Sequence, residues 1–471
     1  MPGWEPASYP VFFEGFLMRD NKDFTIGRIL SPLIRFMVPV FFAMLLQAMY
    51  GAVDLIIVGQ FARSSDVSAV STGSQMMLTI TNLVISFAMG TTILLGQRIG
   101  EGRGREGGTV IGGSICLFAV IAAVFTVVIP LMRNLLSAVM HAPKEAFSQT
   151  AAYICICGLG SAFIIAYNLI GSIFRGIGDS MTPLMTVLIA CAFNIAGDLL
   201  LVAVFHMGTT GAALATVFAQ ALSVIISLLI LRKRKLPFEF HLSDIRFNRA
   251  VIRKVTSLGL PIALQDLLVG ISFLVLQAIV NSLGLTASAG IGVAEKVCGF
   301  IMLIPAAFMQ AMAAFSAQNI GAGKYQRAKR ALLYAIGVST ALAVVMFAVT
   351  FWRGDLLSSV FSNDPAVITA AADYLKAYAI DCLQTCFLFC FIGFFNGLGM
   401  TRFVMLQGVI GAFLIRIPVA FLMSREVPVS MFHIGLATPC STVLQVIMCL
   451  VCFWITDRKY KNRLDNEVSA V

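Results

Sequence analysis

The sequence predicts an all-α integral membrane protein, with twelve transmembrane helices in two pseudo-symmetric six-helix lobes. Three observations carry that expectation. Of 471 residues, 59% are hydrophobic and only 12% charged, where soluble domains carry roughly 25% charged residues; the mean hydropathy is +0.91. The apolar residues gather into twelve runs, each close to the length of about 20 residues that crosses hydrocarbon as a helix. The second half of the chain also repeats the first, at an offset close to 221 residues.

In chain order, residues 1–30 form an N-terminal segment mixing Pro, Trp, Asp and Lys with a short apolar patch, unlike a cleavable signal peptide. The first lobe, 31–231, holds the runs 36–58, 69–96, 108–132, 150–172, 184–205 and 211–231. Residues 232–257 are the longest polar stretch and join the lobes; no soluble domain of any size fits between the runs. The second lobe, 258–456, holds 258–281, 288–317, 331–352, 373–396, 403–423 and 433–456, and 457–471 form a polar tail.

The net charge of +10 would suit a nucleic-acid binder, but its placement argues for topology instead. With twelve spans and an inside N-terminus, 25 of the 33 Lys and Arg fall on one side; "RKRKLPFEFHLSDIRFNRAVIRK" alone holds eight. Basic loops stay cytoplasmic, so the protein is expected in the plasma (cytoplasmic) membrane with both termini inside and lipid headgroups beside the basic loops. All eleven cysteines lie in apolar runs. Cys382, Cys386 and Cys390 share one helix face with no histidine beside them, which reads as packing rather than as a metal site.

The repeat is visible in short matches kept in order. "GQRIGEGR" at Gly96 answers to "AQNIGAGK" at Ala317, "FRGIGDS" at Phe174 to "FNGLGMT" at Phe395, and Tyr153 to Tyr374; Pro39 and Pro261 open the first helix of each half. Six spans per repeat is an even number, so both halves insert in the same direction, an arrangement of transporters that handle substrate between two bundles. The Gly-rich segments follow no strand and carry no Lys-Ser pair, so they read as helix C-caps and tight turns rather than phosphate cradles.

Charges inside the runs are few, and each costs on the order of 2.5–3.5 kcal/mol at the bilayer centre. Gln47, Tyr50 and Asp54 share one face of span 1, Asn194 and Asp198 one face of span 5, and Thr216 lies in span 6. No cationic partner for the two acids is evident. The repeat places Val275 or Leu276 opposite Asp54, Ile415 opposite Asn194 and Val419 opposite Asp198, so the polar cluster belongs to one lobe. A desolvated aspartate can take up a proton or a small cation and release it when helices rearrange, and the Asp–Asp–Asn–Thr oxygens suit a hard ion. Asp266, Asp381 and Arg416, with Glu295 and Lys296, are further intramembrane charges; Arg416 is expected to pair with an acid such as Asp381.

At this point "YGAVDLIIVGQF", "GQRIGEG", "FRGIGDSMTP", "NIAGDLLLV" and "GAALATVFAQ" together resemble the multidrug and toxic compound extrusion (MATE) transporters, over about residues 25–456 and most closely the DinF-like branch. The resemblance implies a V-shaped cavity between the lobes and export of cationic or amphipathic organic compounds or drugs in exchange for H⁺ or Na⁺. It places the cation site on Asp54, Asn194, Asp198 and Thr216, where Na⁺ is the one metal to consider. Gln47, Tyr50, Asp266, Asp381 and Arg416 are expected around the cargo. No cofactor besides the coupling ion, no nucleic acid and a monomer are expected. The NorM-like branch carries a mid-helix glutamate in span 7 where this chain reads "DLLVGISFL", so a C-lobe cation site is not expected. The closest rival is a flippase of the same superfamily for a lipid-linked oligosaccharide or peptidoglycan precursor; it would need several Arg or Lys around a pyrophosphate, and the N-lobe offers acids instead. An enzyme is disfavoured, because the chain has neither paired Asp-rich motifs nor a metal-spaced histidine cluster.

Overall fold

The computed structural model describes residues 24–233, 238 and 240–469, so most of the N-terminal segment and part of the basic loop expected from the sequence lie outside the described residues. Backbone polar groups cannot be left unpaired in hydrocarbon, and the described chain is helical nearly throughout. Eleven described helices are long and apolar enough to cross a membrane, and twelve when one bent pair counts as a single span.

Span 1 is Leu30–Phe61, span 2 Ser64–Gly100 and span 3 Gly104–Leu131. Span 4 is the bent pair, Phe147–Leu159 and Ser161–Ile177, which meet at 54°. The break falls at Gly160, where a Cβ would stand 2.5 Å from the Val217 side chain of span 6; the close approach selects glycine, and the helix turns around it. Span 5 is Met181–Asp198 continued by a π-helical turn, Leu199–Val204, and span 6 is Gly208–Lys233.

In the second lobe, span 7 is Arg249–Asn281, span 8 Leu285–Ile301 with Leu303–Gly321, span 9 Tyr325–Trp352 and span 10 Pro365–Gly397. Span 11 is Thr401–Ile410, a π-helical turn Gly411–Arg416, and Ile417–Met423; span 12 is Met431–Gly435 with Ala437–Ser469. Two helices reach into stretches expected to be loop or tail. Span 7 starts early because the Asn248 side chain caps it, accepting from the backbone N–H groups of Ala250 and Val251 at 3.1 and 3.2 Å. Span 12 runs on through the polar tail.

The lobes meet at the basic end through paired glycines. A Cβ on Gly100 would stand 1.9 Å from the Gln318 carbonyl oxygen, and one on Gly321 2.0 Å from that of Gln97. The same two residues follow each other at the repeat offset, so each lobe offers the same surface to the other. Further toward mid-membrane, Gly90 and Gly259 bring span 2 against the backbone of span 7. The turns just past the first pair use Gly102 and Gly323 at φ +71° and +70°, a left-handed conformation that glycine adopts without a Cβ clash. Gln318 donates to the Gly176 carbonyl and Gln97 to that of Gly397, both at 3.0 Å, which closes the seam.

This seam predicts that Gly100→Val lowers the thermal stability of the detergent-solubilised protein by about 1–3 kcal/mol, the usual cost of overpacking. Gly337, with nothing within 4 Å of a built Cβ, is the control, and Gly337→Val leaves the melting curve in place. Equal losses in the two variants would remove the seam argument.

Candidate cation and cargo sites

The N-lobe core encloses a polar cluster. Asp54 is 2% exposed, and Asn194 and Asp198 are fully buried. Span 1 carries Tyr50 and Asp54 on one face, span 5 presents Asn194 and Asp198 one turn apart, and span 6 contributes Thr216. The Asp54 and Asp198 carboxyl groups are neighbours, and the Tyr50 hydroxyl lies within interaction range of both acids and of the Thr216 hydroxyl. So the structure brings together the four residues read as a cation site, with Tyr50 beside them.

Hydrogen bonding in the cluster is incomplete. Among the described residues, Asp54 Oδ1, both Asp198 oxygens, both Asn194 amide atoms and the Tyr50 hydroxyl find no hydrogen-bond partner. Thr216 donates to its own helix, at the Ala212 carbonyl, 3.0 Å away. Buried polar groups are normally paired, and two buried carboxyl groups with no cation beside them repel if both ionise. A proton held between them, or one small cation on the carboxyl, amide and hydroxyl oxygens, satisfies the set. The donor chemistry fits Na⁺ as well as H⁺.

Two members were missed in the sequence. Tyr153 and Cys157, from the first half of span 4, are buried and face the acids. Tyr153 is pinned because Gly73 leaves room for its ring: a Cβ there would be 2.6 Å away. The repeat match of Tyr153 with Tyr374 was the available signal.

The mirror position in the other lobe holds the opposite charge. Buried residues of span 1 (Leu33, Pro39, Val40, Asp54, Val58) match those of span 7 (Val255, Pro261, Ile262, Leu276, Val280) at an offset of 222. In their first halves the buried residues of spans 5 and 11 match at an offset of 221, Pro183 and Val187 with Val404 and Gly408. The π-helical turn at Gly411–Arg416 then adds one residue, whereas the turn in span 5 comes only after Asp198. Beyond it, Asn194 corresponds to Arg416 and Asp198 to Ala420, which corrects the sequence assignment of Ile415 and Val419. Tyr50 corresponds to Ser272, and Thr216 to Thr438.

Arg416 is 5% exposed. It donates to Ser272 Oγ at 2.9 Å, and its guanidinium lies 4.1 Å from the centre of the Phe273 ring. The expected ion pair with Asp381 is not formed. Both Asp381 oxygens are taken by hydroxyls, Thr385 at 2.8 Å and Thr442 at 2.6 Å, while Arg416 is held on span 7. Beside Phe273 opens a cavity of about 230 Å³, lined among others by Gln277, Glu295, Cys298, Tyr374 and Tyr378.

The remaining expected residues lie apart from both clusters. Gln47 and Asp266 are exposed, and Ser86 of span 2 donates to Asp266 of span 7. Asp266 thus ties the two lobes rather than joining either cluster. Lys296 is exposed, with its amine 6.0 Å from the Phe361 ring centre.

A family model, MatE, matches residues 39–200 and again 261–422, the same 222-residue shift as the buried faces. The chain belongs to the MatE family. It is 27% identical over 389 residues to "Probable multidrug resistance protein YpnP" of Bacillus subtilis, covering 82% of this chain and 85% of that one. To "Multidrug export protein MepA" of Staphylococcus saprophyticus it is 23% identical over 423 residues, covering 86% and 90%. The fold superposes with a TM-score of 0.86 at 18% identity on a solved "Outward-facing conformation of a multidrug resistance MATE family transporter of the MOP superfamily", over 93% of this chain and 98% of that chain. The MatE repeat is therefore the unit within which the acid cluster and its mirror are to be compared.

The geometry predicts that Thr442→Val, which leaves one buried Asp381 oxygen without its donor, costs about 1–3 kcal/mol in thermal unfolding. Thr442→Ser, which keeps the hydroxyl, recovers most of it. A Val variant as stable as the parent would show that the hydrogen bond is unimportant.

Proposed function

We propose that the protein is a secondary active efflux transporter that exports cationic or amphipathic organic compounds in antiport with H⁺ or Na⁺. The single observation that carries this reading is the buried acid pair, Asp54 and Asp198, with unpaired oxygens and no counter-cation beside it. Such a pair alternates between a charged and a neutralised state, and the two states favour different helix packings. Asp54, Asn194, Asp198 and Thr216 hold the coupling ion in this account. The names of the relatives, multidrug resistance and multidrug export proteins, agree with the cargo class.

The C-lobe cavity supports a cationic cargo. Glu295 among Phe273, Tyr374 and Tyr378 offers a carboxylate within aromatic walls, a setting that attracts organic ammonium groups. Arg416, at the mirror position of the coupling site, makes the C-lobe unsuited to a second coupling cation. A lipid-pyrophosphate cargo would need several cations converging on the cavity; Arg416 is engaged by Ser272 and Phe273, and Lys296 lies on an exposed surface. In the same proposal the protein is a monomer in the plasma membrane with both termini cytoplasmic, as the crowding of Lys and Arg at one end favours.

The test is efflux of a fluorescent organic cation from proteoliposomes under a pH gradient or a Na⁺ gradient imposed separately. One gradient drives transport, and Asp198→Asn and Asp54→Asn each reduce it at least about tenfold, the equivalent of about 1.4 kcal/mol. Both variants melt no lower than the parent, because neutralising an unpaired buried charge removes a destabilising feature. Undiminished gradient-driven transport in both variants would sink the coupling assignment. Glu295→Gln is expected to raise KM for the cation several-fold with coupling kept; an unchanged KM would place the cargo elsewhere.

A further inference from the structure

The basic end of the molecule carries a second cavity, of about 300 Å³, lined by Ile29, Lys324, Gln326, Arg327 and Arg330. One wall is the segment that leads into span 1. Phe24 is buried, stacked on Phe315 of span 8 with ring centres 5.1 Å apart. Arg327 donates to the carbonyls of Phe24, Ile26, Gly27 and Arg28 at 2.9, 2.7, 2.7 and 3.2 Å, and Lys324 donates to that of Thr25 at 2.9 Å. The lead-in to the first lobe is thus strapped onto the second lobe.

Carbonyl acceptors orient these side chains without neutralising the Lys324 ammonium, and Arg330 is exposed at the mouth. Gln326, Arg330, Leu333 and Tyr334 lie along one face of span 9, and Leu333 and Tyr334 are 58% and 49% exposed. A basic cavity at the helix end therefore continues directly into an apolar strip facing the hydrocarbon.

We propose that this cavity binds the phosphate headgroup of an anionic phospholipid, with Lys324 and Arg330 on the phosphate and an acyl chain along Leu333 and Tyr334. Basic pockets between spans at the membrane surface recognise headgroups in this way. A free phosphate satisfies the cations but leaves the apolar strip unused, so the lipid is the ligand chosen. Binding fills the space beside the strap and so favours the arrangement in which the lobes meet at this end. Which leaflet supplies the lipid follows from the orientation proposed above; the binding itself does not depend on it.

The experiment is native mass spectrometry of the full chain purified in detergent and offered equal phosphatidylglycerol and phosphatidylcholine, with no transport readout involved. The parent retains phosphatidylglycerol about tenfold over phosphatidylcholine, and K324Q/R330Q loses the preference. R249Q/R253Q, which removes the same charge from two exposed arginines at the start of span 7, keeps it. Inorganic phosphate at millimolar concentration does not displace the lipid. The proposal is overturned if K324Q/R330Q retains the preference, if R249Q/R253Q loses it equally, or if inorganic phosphate competes, which would mark a site for a soluble anion.

Discussion

Two carboxyl groups held out of water without a cation between them form an arrangement that a fold keeps only where the surroundings over-determine it. Here those surroundings are spans 1, 4, 5 and 6 of the N-lobe, all closed around Asp54 and Asp198. Tyr153 fills the space that Gly73 leaves, and the break at Gly160 brings span 6 against span 4. Each is a packing feature, and together they keep water out of the place where the charge sits. The coupling argument depends on that exclusion, because a solvated aspartate would titrate without disturbing the helices.

The second lobe shows how the same scaffold treats the same place differently. Most buried residues of span 1 recur in span 7 at one offset, yet the mirror of Asn194 is Arg416 and the mirrors of the acids are Leu276 and Ala420. One inserted residue in a π-helical turn decides this. Moving the turn from after the polar pair to before it rotates the next stretch of span 11 by one position and brings Arg416 inward. Single π-turns of this kind often occur at functional positions in helices. A duplicated fold thus carries one lobe with two buried carboxyl groups at this place and one with a buried guanidinium.

Much of this was legible in the sequence because hydrocarbon demands long apolar helices and leaves few places for charge. The twelve spans, the repeat and the shared faces of Tyr50 with Asp54 and of Asn194 with Asp198 follow from spacing and hydropathy; the grouping of Asp54, Asn194, Asp198 and Thr216 across three spans is what the family resemblance implied. What was not legible depends on local backbone geometry or on contacts between distant spans. The π-turn shifts register by one residue, and a constant repeat offset therefore put Ile415 where Arg416 stands. Asp381 and Arg416 read as an ion pair because opposite charges in adjacent spans attract. Thr385, one turn along the same helix, was in plain view; Thr442, from span 12, could be placed only by the packing of the lobe.

The central claim is that the charge state of the Asp54–Asp198 pair governs how the lobes sit against each other. The most direct measurement is the distance between spin labels at Lys144 and Val360, exposed positions in the loops that follow spans 3 and 9, by double electron–electron resonance in lipid nanodiscs across pH and Na⁺. The account predicts a distance distribution that shifts with one of the two ions and a D54N/D198N protein whose distribution stays fixed. The same ion-dependent shift in the variant would contradict it.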